Sequence, residues 1–277
     1  MAFTEYGDSQ GQALFFFHGG SDSRLEAKLL DHSATKMGLR IIAPDRPGYG
    51  YSDFQLDRQF LDWSNDVEEV ADELEVERFF ILAHSGGGPH AAAVAHELPD
   101  RIKAVALLGS AAPPGSPSKG LHPMFRLVNI AMSRSKWLHR RLLDQTNRRL
   151  LEEPDGFLAE WGTFSRADGR LFEEKPDVAA IIVQEMTEAI RQGVEPIMHE
   201  HRLYKRDWGF SLAQIQTPID IWHGLADRQA SVDASRFLDS IFPSSQLRLV
   251  DGAGHFSLLV NHQESILISL LSHEPPV

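Results

Sequence analysis

The feature that most constrains the fold is a series of short apolar runs in the first part of the chain. The runs occupy residues 13–17, 41–43, 79–83 and 104–108. Each run has strand length and lacks polar alternation, so we expect strands that are buried on both faces. Helical patterns at residues 62–74 and 89–98 separate the runs. This order predicts an α/β protein with a doubly wound, mostly parallel sheet.

The alternation of strands and helices stops after the fourth apolar run. Residues 111–120 contain three prolines and two glycines, which is typical of a linker, and helical patterns follow to about residue 207. Strand-like runs return at residues 219–222 and 246–250. The sequence therefore predicts two domains, an α/β core formed by residues 1–112 and 208–277 and an all-helical cap formed by residues 113–207.

Composition and charge exclude several classes of protein and site. The net charge of −12 argues against nucleic-acid binding, and the absence of cysteine excludes disulfides, thiolate metal sites and a cysteine nucleophile. No secretory signal is visible, and no apolar run is long enough to span a bilayer. We expect a cytoplasmic protein with no nucleic-acid or membrane partner. The sequence leaves the oligomeric state open.

A serine between small residues follows the third apolar run, in the segment Ala-His-Ser-Gly-Gly at residues 83–87. This segment lies between a predicted strand and a predicted helix, and it resembles the G-x-S-x-G nucleophile elbow of the α/β-hydrolase family. A sharp turn would project the Ser85 hydroxyl above the sheet, and Gly87 would let strand and helix approach closely. Ala83 departs from the family motif by one methyl group, which we expect to fit.

Four further loops resemble segments of the same family, and each follows a predicted strand. They are His-Gly-Gly-Ser at residues 18–21, Asp-Arg-Pro-Gly-Tyr-Gly-Tyr-Ser at 45–52, His-Gly-Leu-Ala-Asp at 223–227 and Gly-Ala-Gly-His-Phe at 252–256. The second is similar to the family's D-x-P-G-x-G-x-S loop, in which we expect Asp45 and Arg46 to hold neighbouring loops. The third and fourth are similar to the H-G-x-x-D and G-x-G-H segments that carry the family's acid and base.

The resemblance implies a catalytic triad and an oxyanion hole. Ser85 would be the nucleophile, His255 the general base and Asp227 the acid that orients it, in the chain order of the family. The backbone N–H groups of Gly20 and Gly86 would form the oxyanion hole. The resemblance also implies an eight-stranded type of sheet with a helical cap over the site, and the sequence leaves open whether the first strand is complete, shortened or left out.

Two further expectations concern the acid and the substrate pocket. Ser110 occupies the place where some family members carry the acid. Because a serine side chain does not ionise to a carboxylate, we expect Asp227 to be the acid. We expect four residues to line the pocket, namely His84, Leu225, Phe256 and Trp161. The spacing of the histidines suggests no metal site, and no motif suggests another cofactor.

The fold does not choose the substrate. A serine nucleophile argues against the dehalogenase and epoxide-hydrolase branches, which use aspartate. We expect a serine hydrolase that cleaves a small-molecule ester or lactone through an acyl-enzyme. A proline-iminopeptidase-like aminopeptidase and a carbon–carbon bond hydrolase remain alternatives. The former needs cap carboxylates to hold a substrate ammonium, and the candidates are Glu160, Glu173, Glu174, Glu185, Glu188 and Glu195. A non-catalytic receptor of the same fold is the alternative outside enzymes.

Overall fold

The seven strands form a single sheet that lies between two layers of helices. The structure is a computed structural model that describes residues 1–123, 125, 130 and 134–274. Within these residues seven strands form one sheet in the order β1-β3-β2-β4-β5-β6-β7. The strands are β1 (Phe3–Gly7), β2 (Gln12–Phe17), β3 (Leu39–Pro44), β4 (Phe79–His84), β5 (Ile102–Leu108), β6 (Ile219–Gly224) and β7 (Ser245–Val250). Strand β1 is antiparallel to β3, and the other neighbours are parallel.

The predicted doubly wound, mostly parallel sheet is therefore confirmed. The eight-stranded type of sheet is not, because the described residues supply seven strands. The sequence analysis also did not identify β1, because its residues alternate between exposed and half-buried positions and lack an apolar run. A second element that it missed is the 3₁₀ segment Arg24–Leu30, which leads into helix α1 (Asp31–Lys36).

Two apolar clusters cover the two faces of the sheet. Alternate residues of each strand point to opposite faces, so neighbours such as Phe15 and Phe16 belong to different clusters. Helices α2 (Asp62–Glu73) and α3 (Gly88–Glu97) pack on the Phe15 face. The 3₁₀ segment, α1 and the last helix pack on the Phe16 face. The central strands are consequently buried throughout, as the uninterrupted apolar runs predict.

A series of helices lies between β5 and β6. The described helices are α4 (Lys136–Glu152), α5 (Pro154–Gly162), α6 (Arg166–Glu174), α7 (Pro176–Ala189) and α8 (Glu195–Leu203), called here the inserted helices. Helices α9 (Val232–Ile241) and α10 (His255–Leu271) complete the chain. Buried residues of the inserted helices, including Phe157 and Ile182, belong to the same apolar cluster as α10. The division into a core domain and a cap domain at residues 113 and 207 remains a prediction.

Among the described residues, no helix combines the length and the apolar character needed to cross a bilayer.

Candidate active site

Ser85 lies at the carboxyl end of β4, where the chain turns sharply into α3. Its φ is +50°, a left-handed conformation that a serine rarely adopts. The turn packs tightly against the end of β2, since a Cβ added to Gly87 would lie 2.3 Å from the carbonyl oxygen of Phe17. The Ala111 N–H donates to the Ser85 carbonyl at 3.0 Å and fixes the turn from the neighbouring strand. Ala83 is fully buried in the core.

Asp227 and His255 form a buried hydrogen-bonded pair. The distance from His255 Nδ1 to Asp227 Oδ2 is 2.7 Å. The other carboxylate oxygen of Asp227 accepts the N–H groups of Gln229 at 2.7 Å and Ala230 at 2.9 Å. Burial opposes ionisation of this carboxyl, but the charge and the hydrogen bond of His255 lower the pKa of Asp227 below its ordinary value. An ionised Asp227 holds the proton of His255 on Nδ1 and leaves Nε2 as the basic nitrogen.

The parallel sheet brings these three residues to the same edge. Ser85 follows β4, Asp227 follows β6, and His255 follows β7. The loops after β6 and β7 are joined, since the Ala226 N–H donates to the Ala253 carbonyl at 2.8 Å. The ring of His255 lies 4.5 Å, between centroids, from the ring of the residue directly before Ser85.

The loop at residues 18–21 lies against the Ser85 turn. A Cβ added to Gly86 would meet the backbone N and Cα of Gly20 at 2.8 Å, so the two glycines proposed for the oxyanion hole are neighbours. Arg46 donates to the carbonyls of His18 and Gly19, the latter at 2.6 Å. The Tyr49 hydroxyl donates to the Gly20 carbonyl at 2.8 Å. Three successive carbonyls of the loop are thereby fixed.

A carboxylate from the inserted helices holds Arg46 in place. Glu200 of α8 pairs with Arg46 at 3.0 Å and with Arg58 at 3.3 Å, and both arginines lower its pKa although burial opposes this. The Tyr204 hydroxyl donates to Glu200 and lies 3.0 Å from the Gly86 carbonyl. The sequence analysis assigned loop-holding to Arg46 but missed Glu200 and Tyr204, because no local pattern indicates where α8 packs.

A second group of buried ionisable residues lies beside Asp227 and His255, and we call it the acidic cluster. It consists of Asp22, Glu26, His84 and Glu185. Glu26 accepts the Gly19 N–H at 3.0 Å and contacts His84 Nδ1 at 2.5 Å. Burial opposes the charged imidazole, but Glu26 raises the pKa of His84 to about 9, which makes it an imidazolium at neutral pH.

The other half of the acidic cluster joins α7 to the loop after β2. Burial and the charge of Glu26 raise the pKa of Asp22 to about 7, and burial together with Asp22 raises the pKa of Glu185 well above its ordinary value. The raised pKa of Glu185 favours its neutral form. Glu185 Oε2 accepts the Ser23 N–H at 2.9 Å.

The acidic cluster contains the one set of described residues with metal-ligand geometry. Single ligand atoms of Asp22, Glu26 and His84 lie within 4.8 Å of one another. Both oxygens of Glu26 already accept hydrogen bonds, and the raised pKa of His84 keeps Nδ1 protonated. A metal ligand must be deprotonated. This donor set therefore fits an ion pair, and the absence of a metal cofactor stays a prediction.

The four residues expected to line the pocket differ in exposure. His84 is fully buried, and Phe256 is 1% exposed. The Phe256 ring lies 5.7 Å from His84 and 6.3 Å from Trp161 of α5. Leu225 is 46% exposed. The contact between Trp161 and Phe256 thus joins an inserted helix to the residue that follows His255. Contact of these four residues with substrate remains a prediction.

Comparison with known proteins defines the class of this protein. The profile of the alpha/beta hydrolase fold matches residues 12–262. Because this match covers most of the chain, the protein belongs to the alpha/beta hydrolase fold family, and the predicted fold class is confirmed. Family membership makes the protein a hydrolase enzyme, whereas its reaction and substrate are inferred below.

Individual relatives are distant. A 2-hydroxymuconate semialdehyde hydrolase of Pseudomonas sp. (strain CF600) is 39% identical over 74 residues, which are 26% of this chain and 26% of the relative. A bromoperoxidase from Bacillus anthracis has a TM-score of 0.72 at 20% identity, and the match covers 98% of this chain and 94% of the bromoperoxidase. The enol-lactonase from Burkholderia xenovorans has a TM-score of 0.69 at 17% identity, and the match covers 98% of this chain and 95% of the lactonase. At such identities the structures establish the fold alone.

Proposed function

We propose that this protein is a serine hydrolase that cleaves a small-molecule ester or lactone through an acyl-enzyme on Ser85. A cytoplasmic location, without a nucleic-acid or membrane partner and without a cofactor, belongs to the same proposal. The observation that carries it is the strained Ser85 turn beside a histidine whose Nδ1 is bound to a buried carboxylate. A residue stays in a strained backbone conformation only where the surrounding structure enforces it, and such residues cluster at active sites.

The reaction needs two steps. The Ser85 oxygen attacks the carbonyl carbon of the ester while Nε2 of His255 takes the hydroxyl proton. The tetrahedral intermediate collapses, and the alcohol leaves with that proton. Water then attacks the acyl-enzyme in the same manner and releases the acid. Asp227 stabilises the imidazolium that forms in each step, and it stays ionised because its pKa is already low.

The negative oxygen of each intermediate needs hydrogen-bond donors. In this proposal the N–H groups of Gly20 and Gly86 supply them. Their loop cannot relax easily, because Arg46 and Tyr49 hold its carbonyls. Such fixed donors stabilise the developing charge without reorganising during the reaction.

An ester or lactone fits better than an amino-terminal peptide. An aminopeptidase needs an ionised carboxylate that a substrate ammonium can reach. Glu185, one of the carboxylates considered for this role, is fully buried, and burial together with Asp22 raises its pKa well above the ordinary value, which opposes the ionised form.

The test is hydrolysis of p-nitrophenyl esters of increasing acyl length by the wild type and by Ser85→Ala. Ser110→Ala is the matched control, because Ser110 is a buried serine at the end of the adjacent strand. We expect turnover that disappears in Ser85→Ala and stays within about twofold of wild type in Ser110→Ala. The acyl length with the highest kcat/KM measures the size of the acyl pocket.

Other outcomes distinguish the alternatives. A folded wild type that cleaves amino-acyl arylamides but no ester is an aminopeptidase. A folded wild type that cleaves neither and does not react with a serine-directed phosphonate contradicts the proposed nucleophile and favours a receptor. Phosphonate labelling without ester turnover directs the next assay to carbon–carbon bond substrates.

A further inference from the structure

Helix α10 begins at His255, and the acceptor for its first N–H groups comes from a distant part of the chain. Asp168 of α6 accepts the His255 N–H at 2.9 Å through Oδ2 and the Ser257 N–H at 2.8 Å through Oδ1. Asp168 is 1% exposed. We propose that Asp168 is a positioning residue for His255, so that an inserted helix sets the geometry of the base. This inference rests on the proposed function of His255.

The first turn of a helix needs such a partner. Its leading N–H groups have no acceptor within the helix, and the residue before the helix usually supplies one from its side chain. Gly254 stands at this position in α10 and has no side-chain oxygen. Asp168 fills the role from 87 residues earlier in the chain. Its negative charge also suits the positive end of the helix dipole.

Gly254 is also what lets Asp168 come close. Its φ is −94°, which any residue adopts, so the backbone does not require glycine. A Cβ at this position would lie 2.5 Å from Asp168 Oδ1 and 2.3 Å from Ser165 Oγ. The glycine before the base therefore provides space for the carboxylate from α6.

Asp168 is itself held in place. It lies in the first turn of α6, and its N–H donates to the Ser165 hydroxyl at 3.4 Å. Helices α5 and α6 approach closely, since a Cβ on Gly162 would lie 2.7 Å from the Cα of Gly169. The ring of Phe172, also in α6, lies 5.9 Å from the ring of Phe256. Packing and hydrogen bonding thus fix α6 against the start of α10.

Two carboxylates consequently fix the base in different ways. Asp227 binds the imidazole ring, and Asp168 binds the backbone from which the ring projects. A movement of α6 away from α10 would leave two buried N–H groups without an acceptor and release the backbone of His255. Catalysis therefore depends on contact between α6 and α10.

Asp168→Ala, Asp168→Asn and Ser135→Ala test this role. Ser135 caps α4 through the Leu138 N–H, so its replacement also removes a helix cap of the insertion but leaves His255 untouched. The kcat for a p-nitrophenyl ester is measured per active site, counted by phosphonate labelling. We expect Asp168→Ala to lower kcat by about 10- to 100-fold. Its KM should stay within about threefold of wild type.

Asparagine is also a good helix cap, so Asp168→Asn should recover part of the loss. Ser135→Ala should keep the wild-type kcat. A kcat per site of Asp168→Ala within about twofold of wild type would show that the residue only supports the fold.

A second readout does not depend on turnover. The His255 Nδ1 proton bound to Asp227 should give a downfield proton NMR resonance that Asp227→Asn abolishes. We expect Asp168→Ala to shift or broaden this resonance and Ser135→Ala to leave it unchanged. An unchanged resonance in a folded Asp168→Ala variant overturns the inference. If the wild type neither turns over nor labels, the proposed function fails, and the resonance still decides the role of Asp168.

Discussion

Two histidine–carboxylate pairs lie next to each other behind the Ser85 turn, and their surroundings separate their roles. His255 pairs with Asp227, and His84 pairs with Glu26. The two imidazole rings are 4.5 Å apart. His255 is 5% exposed, whereas His84 and Glu26 are completely buried. Glu26 also binds the loop proposed for the oxyanion hole, through the Gly19 N–H.

The comparison shows that residue type alone does not define a catalytic base. Asp227 binds Nδ1 of His255, which lies at the same edge of the sheet as Ser85. Glu26 keeps its histidine charged, and a charged imidazole cannot accept a proton. We therefore assign the chemistry to the first pair, and to the second the attachment of the oxyanion loop to the nucleophile turn.

The largest expected effect tests the first pair. Asp227→Asn should lower kcat by about four orders of magnitude, because the asparagine amide favours the wrong tautomer of His255. The measurement is kcat on the best ester, with circular dichroism to verify the fold. Near-normal turnover in a folded variant would contradict the assignment of the acid and would reopen the role of His84.

The second pair should matter more for stability than for turnover. Glu26→Gln removes the counter-charge of His84 but keeps an acceptor for the Gly19 N–H. We expect the free energy of unfolding in urea at pH 7 to fall by about 3 kcal/mol, because a buried imidazolium loses its partner. The kcat per labelled site should fall far less than in Asp227→Asn. A stable variant with an equally large loss of kcat would place His84 in the chemistry.

The smallest effect concerns Glu185 and Asp22. A carboxyl whose pKa is raised on folding to about 7, as for Asp22, binds more protons in the native state than in the unfolded state between about pH 4 and 7. The free energy of unfolding should therefore fall as the pH rises, by about 2 to 3 kcal/mol between pH 5 and 8.

Glu185→Gln is the matched variant for this effect. Its amide donates to an ionised Asp22, so the fall in stability with pH should become smaller. Urea unfolding of both proteins at pH 5 and pH 8 measures the difference. Equal pH dependence of the two proteins would mean that this pair holds no shared proton. The raised pKa of His84 also makes the free energy of unfolding fall as the pH rises. This contribution is present in both proteins and therefore cancels in the comparison.

The sequence predicts the parts of the site that local patterns encode. Ser85, Asp227 and His255 each follow a buried strand, and parallel strands must end at one edge of the sheet. Their proximity therefore follows from the order of strands and helices together with the five loop motifs. Arg46 was likewise expected to hold neighbouring loops, and it binds the carbonyls of His18 and Gly19.

The contributions of the inserted helices were not predictable in this way. Asp168, Glu185 and Glu200 lie on amphipathic helices whose periodicity shows which side is buried but not which loop it meets. Their partners are 87 to 162 residues away in the chain. The signal that the sequence does contain is an acidic residue on an otherwise apolar helix face, as with Glu185 between Ile182 and Met186.

The central claim is that Ser85 carries the acyl group, and intact-mass analysis of rapidly quenched reactions tests it most directly. The enzyme is mixed with the p-nitrophenyl ester that it cleaves best and is quenched in acid within the first turnover. We predict a mass increase of one acyl group that peptide mapping assigns to Ser85 and that is absent in Ser85→Ala. Turnover without an adduct, together with retained activity in Ser85→Ala, would contradict the account.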